Sequence, residues 1–199
     1  MYKVLASVLA TCAVVGASPL ALATRAEAPV SGYGIEEVSW LIPASASGPE
    51  VVLNGTIQQV YSQLLDINPG YQAEIEAAIP SSQVAARGLE KRGDVHCGGF
   101  ANAATFRIRE GISYLRGVGG NPVAGPGPGN CARVSCSWSA AIWWCNDNSF
   151  TKVLPGFYNI ADGAEEIVNT CDHEGFQVAG QDFIGGARDW NVIVRKGDC

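Results

Sequence analysis

Two histidines flanked by carboxylates are the first residues of this chain whose types and spacing suit chemistry. His96 follows Asp94 by two positions, and His173 lies between Asp172 and Glu174. A histidine beside a carboxylate suits general acid–base catalysis, as in small secreted ribonucleases. Neither histidine lies in a recognisable catalytic motif, and the sequence contains no nucleophile elbow and no H-E-x-x-H motif. We therefore expect two surface or strand-edge histidines, no catalytic residue and no cofactor.

The cysteines are the second set of residues with chemical potential. Cys12 lies in the N-terminal apolar run, and six others follow residue 92: Cys97, Cys131, Cys136, Cys145, Cys171 and Cys199. None belongs to a C-x-x-C pair, so no zinc or other metal site is expected. An even set in an exported chain predicts three disulfide bonds, and bonded cysteines supply no thiolate nucleophile. Six cysteines can pair in many ways, and the sequence does not choose among them.

The first 23 residues predict a secretory signal peptide. A short basic start is followed by an apolar run from Val4 to Val15, and small residues then lead to a cleavage site near Ala23. This run is well short of the roughly 20 apolar residues that span a bilayer, and no later stretch is long enough either. We expect a secreted, extracellular protein with no membrane span.

A dibasic pair, Lys91-Arg92, separates two segments of different composition. Residues 24–92 contain no cysteine and end in a polar stretch, Ser81 to Glu90, which we predict to be an extended tether. A kexin-type processing protease cuts after such a pair, so residues 24–92 are predicted to be a propeptide and 93–199 the mature disulfide-rich domain. Asn54 begins an N-glycosylation sequon within the predicted propeptide.

The charge of the chain argues against two classes of partner. The net charge is −6, and residues 93–199 carry eight basic against eleven acidic side chains. Such a surface has no basic footprint for nucleic acid and no polybasic patch for anionic lipid. We expect a monomer whose partners are the processing protease and an extracellular or host target that the sequence does not identify.

Apolar periodicity predicts an α+β fold for the mature region. Its helices are predicted at 101–115 and 160–171, and its strands at 95–97, 132–146, 176–184 and 190–196, with a tight connection near Ser139 inside 132–146. Two further helices are predicted in the propeptide, at 55–65 and 71–79. The mature part is therefore predicted to be a small disulfide-rich two-layer sandwich, with two helices on an antiparallel sheet. The Gly/Pro-rich stretch from Gly117 to Gly129 is predicted to be a mobile surface loop that carries recognition.

Three neighbouring tryptophans, Trp138, Trp143 and Trp144, form the candidate binding surface. Exposed indole rings would make a platform on which sugars stack. In a strand Trp143 and Trp144 point to opposite faces, so at most one of the two joins such a platform. Core packing against a disulfide is favoured for the other.

The signal peptide, the prosegment, the dibasic pair and the blocks CARVSCSWSAAIWWCNDN and WNVIVRKGDC together resemble small secreted cysteine-rich proteins of filamentous fungi. The arrangement is also similar to the virally encoded killer toxins of smut fungi and their killer-toxin-like fungal relatives. This resemblance implies an α/β-sandwich fold and a non-enzymatic role as an effector or toxin; it transfers no functional residue. Two alternatives stay open, a carbohydrate- or cell-wall-binding module and a small secreted hydrolase or ribonuclease.

Overall fold

The structure, a computed structural model, describes residues 27–78, 93–172, 174–185 and 189–199, with the side chains of 75–78 left out. The predicted signal peptide, the tether, Lys91, Arg92 and His173 lie outside the described residues. Within them, the strands and helices in chain order are β1 Gly34–Glu36, β2 Ser39–Pro43, β3 Glu50–Asn54, α1 Ile57–Ile67, α2 Tyr71–Ala78, β4 Asp94–Cys97, β5 Ala103–Ala104, α3 Thr105–Arg116, β6 Val123–Ala124, β7 Asn130–Ser137, β8 Ala140–Asn146, β9 Lys152–Val153, α4 Phe157–Cys171, β10 Gln177–Val178, β11 Gly180–Ile184 and β12 Trp190–Lys196.

A six-stranded sheet in the order β1-β7-β8-β12-β11-β4 forms the centre of the fold. Its pairs are antiparallel except for β1 and β7, which run parallel. Helices α3 and α4 pack against the sheet and against each other, and α1 packs on α3 and β7. The predicted α+β class with a mostly antiparallel sheet is confirmed. The described part of the chain has four helices, of which two lie in residues 93–199.

Helix α1 shows how the local sequence sets an element in place. The backbone N–H of Thr56 donates to the Gln59 side chain at 2.8 Å, which satisfies one amide at the start of the helix. Ile57, Val60 and Leu64 recur at helical spacing and are all buried. The apolar stripe therefore turns α1 towards the core, where it meets α3.

The N-terminal segment shares one hydrophobic core with the cysteine-bearing region. Trp40 of β2 stacks on Phe157 of α4, with ring centroids 4.4 Å apart. Leu64 of α1 and Leu115 of α3 are fully buried in the same cluster. The division of the chain at residue 92 stays a prediction, but residues 27–78 do not form a separate unit in this structure.

The predicted disulfide framework is confirmed, and its connectivity is now defined. Cys97 at the end of β4 bonds Cys171 at the end of α4. Cys131 and Cys145 bond directly across β7 and β8. Cys136 of β7 bonds Cys199, the last residue of the chain. Such bonds are typical of proteins that fold in oxidising compartments.

The sheet has a second, smaller apolar cluster on the face that α3 and α4 do not cover. Cys131, Trp143, Cys145 and Ile193 are buried there, and the side chains of Val30, Tyr33 and Phe100 pack over them. The Arg195 guanidinium donates to the carbonyl of Pro29 at 2.8 Å, beside this cover. The N-terminal segment thus contacts both faces of the sheet. No helix among the described residues is long and apolar enough to cross a bilayer.

Candidate binding surface

The three candidate tryptophans are placed very differently by strands β7 and β8. Trp138 lies in the turn between the strands and is 75% exposed. Trp143 and Trp144 lie in β8, the third strand of the sheet, and are 3% and 1% exposed. They point to opposite faces, as strand geometry requires, but each face is covered, Trp143 by the smaller cluster and Trp144 by the main core. Only Trp138 therefore offers surface for binding.

The turn that presents Trp138 has an unusual composition for its conformation. Ser137 pairs with Ala140, so Trp138 and Ser139 are the two central residues of a tight hairpin. Both have positive φ, 51° and 59°. Tight hairpins of this kind normally place asparagine, aspartate or glycine at these positions, because other side chains are strained there. A bulky tryptophan in this turn is thus not explained by folding preference.

Phe106 and Arg107 of α3 lie beside Trp138. We call the surface formed by these three residues the hairpin-tip patch. Phe106 is exposed, and the Arg107 guanidinium carbon lies 4.6 Å from its ring centroid and 4.9 Å from that of Trp138. Glu110 holds the same guanidinium with contacts of 2.9 and 3.0 Å. The patch combines two solvent-exposed aromatic rings with a positioned cation, a combination that is favoured at protein-binding sites and also suits sugar stacking. One signal for this patch was present in the sequence, since Phe106 lies off the apolar stripe of its helix.

Contacts on both sides of the hairpin fix the position of the patch. The Cys136–Cys199 disulfide joins β7 to the C-terminus, and the N–H of Gly197 donates to the Ser139 carbonyl at 3.2 Å. From the N-terminal segment, the Gln58 amide donates to the Ser135 hydroxyl at 2.7 Å and accepts from the Cys136 N–H at 3.1 Å. The tip is therefore held by a covalent bond and by helix α1.

The Gly117–Gly129 stretch is integrated into the fold more than its composition suggested. Its strand β6 pairs with β9, and Ala124 is fully buried. The Glu36 carboxylate accepts from the Gly125 N–H at 3.0 and 3.1 Å, and the Gly127 N–H donates to the Asn148 carbonyl. The predicted role of this stretch in recognition remains a prediction.

The candidate acid–base residues do not form a recognisable catalytic site among the described residues. His96 lies on edge strand β4 with its Nε2 3.3 Å from Asp94 Oδ2, and both side chains are about half exposed. Its ring meets Phe183 edge-on at 5.7 Å. This is the strand-edge histidine that the sequence predicted, while His173 is not described. No cluster of three or more histidine, cysteine, aspartate or glutamate residues suitable for a metal occurs in the described ranges.

A buried carboxyl group that sequence reasoning missed lies in β11. Asp182 is 2% exposed and pairs with Val95 across β11 and β4. Its Oδ1 has no hydrogen-bond partner among the residues that the structure describes. Burial raises its pKa from 3.8 to about 6, and the charges of Glu166 and Asp94 act in the same direction. The sequence signal was available, because Gly180, Asp182 and Ile184 are the inward positions of an alternating strand.

The remaining predicted sites are only partly visible. Asn54 is the exposed last residue of β3, and its Oδ1 accepts a hydrogen bond from the Ser39 hydroxyl at 2.8 Å. Glycosylation of Asn54 remains a prediction. The processing residues Lys91 and Arg92 lie outside the described residues.

Comparison of the whole chain with known proteins adds no functional assignment. No protein-family model, no curated protein and no solved structure matches it. The function must therefore be inferred from the residues and their geometry.

Proposed function

We propose that this protein is a secreted, non-enzymatic effector or killer-like toxin that binds its target through the hairpin-tip patch. In this proposal the signal peptide directs export and a kexin-type protease cuts after Lys91-Arg92. The target is a host or competing cell outside the producing cell. The three disulfides support the proposal because they stabilise a small domain in an oxidising, protease-containing environment.

The placement of Trp138 is the observation that carries the proposal. An indole ring at a positive-φ turn position costs conformational energy and, being 75% exposed, gains little burial in return. Strained residues of this kind are found at sites of function, and tryptophan and arginine are the residues most enriched where binding energy concentrates. Arg107 lies against the Trp138 ring, so the patch is ordered before any target arrives.

The packing of the N-terminal segment refines the processing step. Cutting one peptide bond near residue 92 leaves intact the Trp40–Phe157 stack and the contacts of the Glu36 carboxylate with Gly125 and Asn130. We therefore propose that the cut protein is a two-chain complex until something else displaces the N-terminal piece. In this proposal, residues 93–199 form the expected two-layer sandwich once the N-terminal piece has been displaced.

The binding role is tested with two exposed aromatic residues at opposite ends of strand β8. Trp138→Ala removes the centre of the patch, whereas Phe150→Ala is a matched control, because Phe150 is exposed but follows the far end of the strand. Purified cut protein is applied to a panel of yeast strains and plant leaf tissue, and cell death is scored against dose. We expect Trp138→Ala to weaken the effect at least tenfold and Phe150→Ala to leave it unchanged. Full activity of Trp138→Ala would overturn the proposed surface.

A carbohydrate- or cell-wall-binding module is the second candidate, favoured by the same exposed indole ring. Retention of the protein on insoluble chitin or glucan, lost in Trp138→Ala but not in Phe150→Ala, together with no effect on the cell panel, would establish this function instead. The hydrolase or ribonuclease alternative predicts that His96→Ala or His173→Ala abolishes the hydrolytic activity and the effect on the cell panel. If both variants keep full activity, that alternative is excluded.

A further inference from the structure

Gly93, the first residue after the predicted cut, packs against the buried carboxyl group of Asp182. A Cβ atom placed on Gly93 would lie 1.7 Å from Asp182 Oδ1 and 2.8 Å from Oδ2. A side chain at this position would therefore require the Asp182 carboxyl group to move. Because the nitrogen and the Cβ of one residue are about 2.5 Å apart, the Gly93 nitrogen lies within about 4 Å of Asp182 Oδ1.

The surroundings of this carboxyl group lack a counter-charge among the described residues. The charged groups that face it are acidic, Asp94 from β4 and Glu166 from α4, while its neighbour on β12 is the apolar Val192. No ion pair to Asp182 is formed within the described ranges, and Oδ1 accepts no hydrogen bond. A buried carboxylate without a partner is unfavourable, which is why the pKa of Asp182 is raised to about 6.

We propose that Asp182 is the binding site for the α-ammonium group that cleavage after Arg92 creates on Gly93. The inference rests on the proposed processing at Lys91-Arg92. In the cut, the protease adds water across the Arg92–Gly93 peptide bond; Arg92 keeps the new carboxylate, and Gly93 keeps the amine, which takes up a proton at neutral pH. A neutral amide nitrogen beside Asp182 thereby becomes a cation with three N–H donors.

This site accounts for two features at once. The described residues offer the buried carboxyl group no counter-charge, and the new ammonium group would give it one, so processing stabilises the product in this proposal. Glycine at position 93 also fits this site, because a Cβ there would force the Asp182 carboxyl group to move. Cleavage and the final local structure of strands β4 and β11 are therefore coupled.

The test follows the Asp182 carboxyl group directly by NMR. Full chain with ¹³C-labelled aspartate carboxyls is titrated before and after cleavage with a purified kexin-type protease, and the Asp182 signal is assigned from Asp182→Asn. We expect its titration midpoint to fall from about 6 in the uncut protein to below 3.8 in the cut protein. A midpoint that stays near 6 after cleavage would overturn the proposal.

A matched control displaces the new ammonium group without changing the cut. One alanine inserted between Arg92 and Gly93 leaves the dibasic pair in place but moves the terminal amine by one residue, about 3.5 Å. We expect this variant to be cut and its Asp182 midpoint to remain near 6. An equal fall in the insertion variant would also overturn the site. If the natural producer secretes only uncut chain, the processing proposal fails while the in vitro titration still decides the ammonium site.

Discussion

Replacing Asp182 by asparagine should stabilise the uncut chain at neutral pH and change it little at pH 4. The substitution keeps the shape of the side chain and removes a charge that is buried beside Glu166 and Asp94. Because the cost of burial falls on the ionised form, the benefit of the substitution should appear only where the wild-type carboxyl group is ionised.

The size and sign of the effect follow from the pKa of Asp182. Its folded-state value of about 6 lies above the ordinary value of 3.8, so the folded chain binds this proton more tightly than the unfolded chain. The stability that this group contributes is therefore complete below about pH 3.8 and is lost as the pH rises through about 6. At about 1.4 kcal/mol per pKa unit, the loss approaches 3 kcal/mol at pH 7.

The assay is urea denaturation followed by tryptophan fluorescence, with chain produced in a host that lacks the processing protease. The free energy of unfolding is measured from pH 4 to pH 8 for the wild type and for Asp182→Asn. The difference between the two should grow across this range towards about 3 kcal/mol. Asp66→Asn, which changes an exposed carboxylate at the end of α1, is the control and should leave the free energy of unfolding within about 0.5 kcal/mol of the wild type. A flat or inverted difference for Asp182→Asn would refute the reasoning.

Three further predictions concern the hairpin and the core. Trp138→Asn should be at least as stable as the wild type in the same urea assay, because asparagine accepts positive φ and relieves the strain of the indole ring in this turn. Trp144→Ala should lose about 3–5 kcal/mol of unfolding free energy through the cavity it leaves. Equal losses would contradict the burial described for the two rings. Replacing Cys136 and Cys199 together by serine should cost about 2–5 kcal/mol of unfolding free energy relative to the oxidised wild type, and the difference should vanish when both proteins are assayed fully reduced. Cut wild-type protein should elute from a size-exclusion column as one complex, while cut Trp40→Ala should release the N-terminal piece; separate elution of the wild-type pieces would contradict the shared core.

The local pattern of apolar residues was sufficient to predict most helices and strands of the cysteine-bearing region. The predicted strand 190–196 has the observed bounds, because the alternating Trp190, Val192 and Val194 are followed by a glycine. Helix α4 begins at Phe157 rather than at 160, since the Gly156 N–H donates to the Asn159 side chain and starts the helix one turn earlier. Helix α3 begins at Thr105 because Ala103–Ala104 pair instead with Gln177–Val178, a contact that no local pattern contains.

The N-terminal segment and the site were less predictable, for a common reason. The stacking of Trp40 on Phe157 and the pairing of β1 with β7 join residues about a hundred positions apart, and neither leaves a periodic signal. The sequence leaves open that either Trp143 or Trp144 is exposed. Trp143 is buried because Val30 and Tyr33, from that same distant segment, pack over its cluster. The sequence included Trp138 in the candidate surface only as one of three tryptophans; its exposure follows from its place in the turn between β7 and β8.

The pairing of β1 with β7 also governs how the protein behaves at high concentration. Strand β7 is eight residues long and, without β1, would be the outermost strand of the sheet, with a row of amides open to another copy. Strand β1 occupies the first part of this edge, and the Gln58 side chain takes the Cys136 N–H near its other end. The cysteine-free segment therefore acts as an edge cap against strand-to-strand aggregation, and a product that had lost it would have to find another partner for β7.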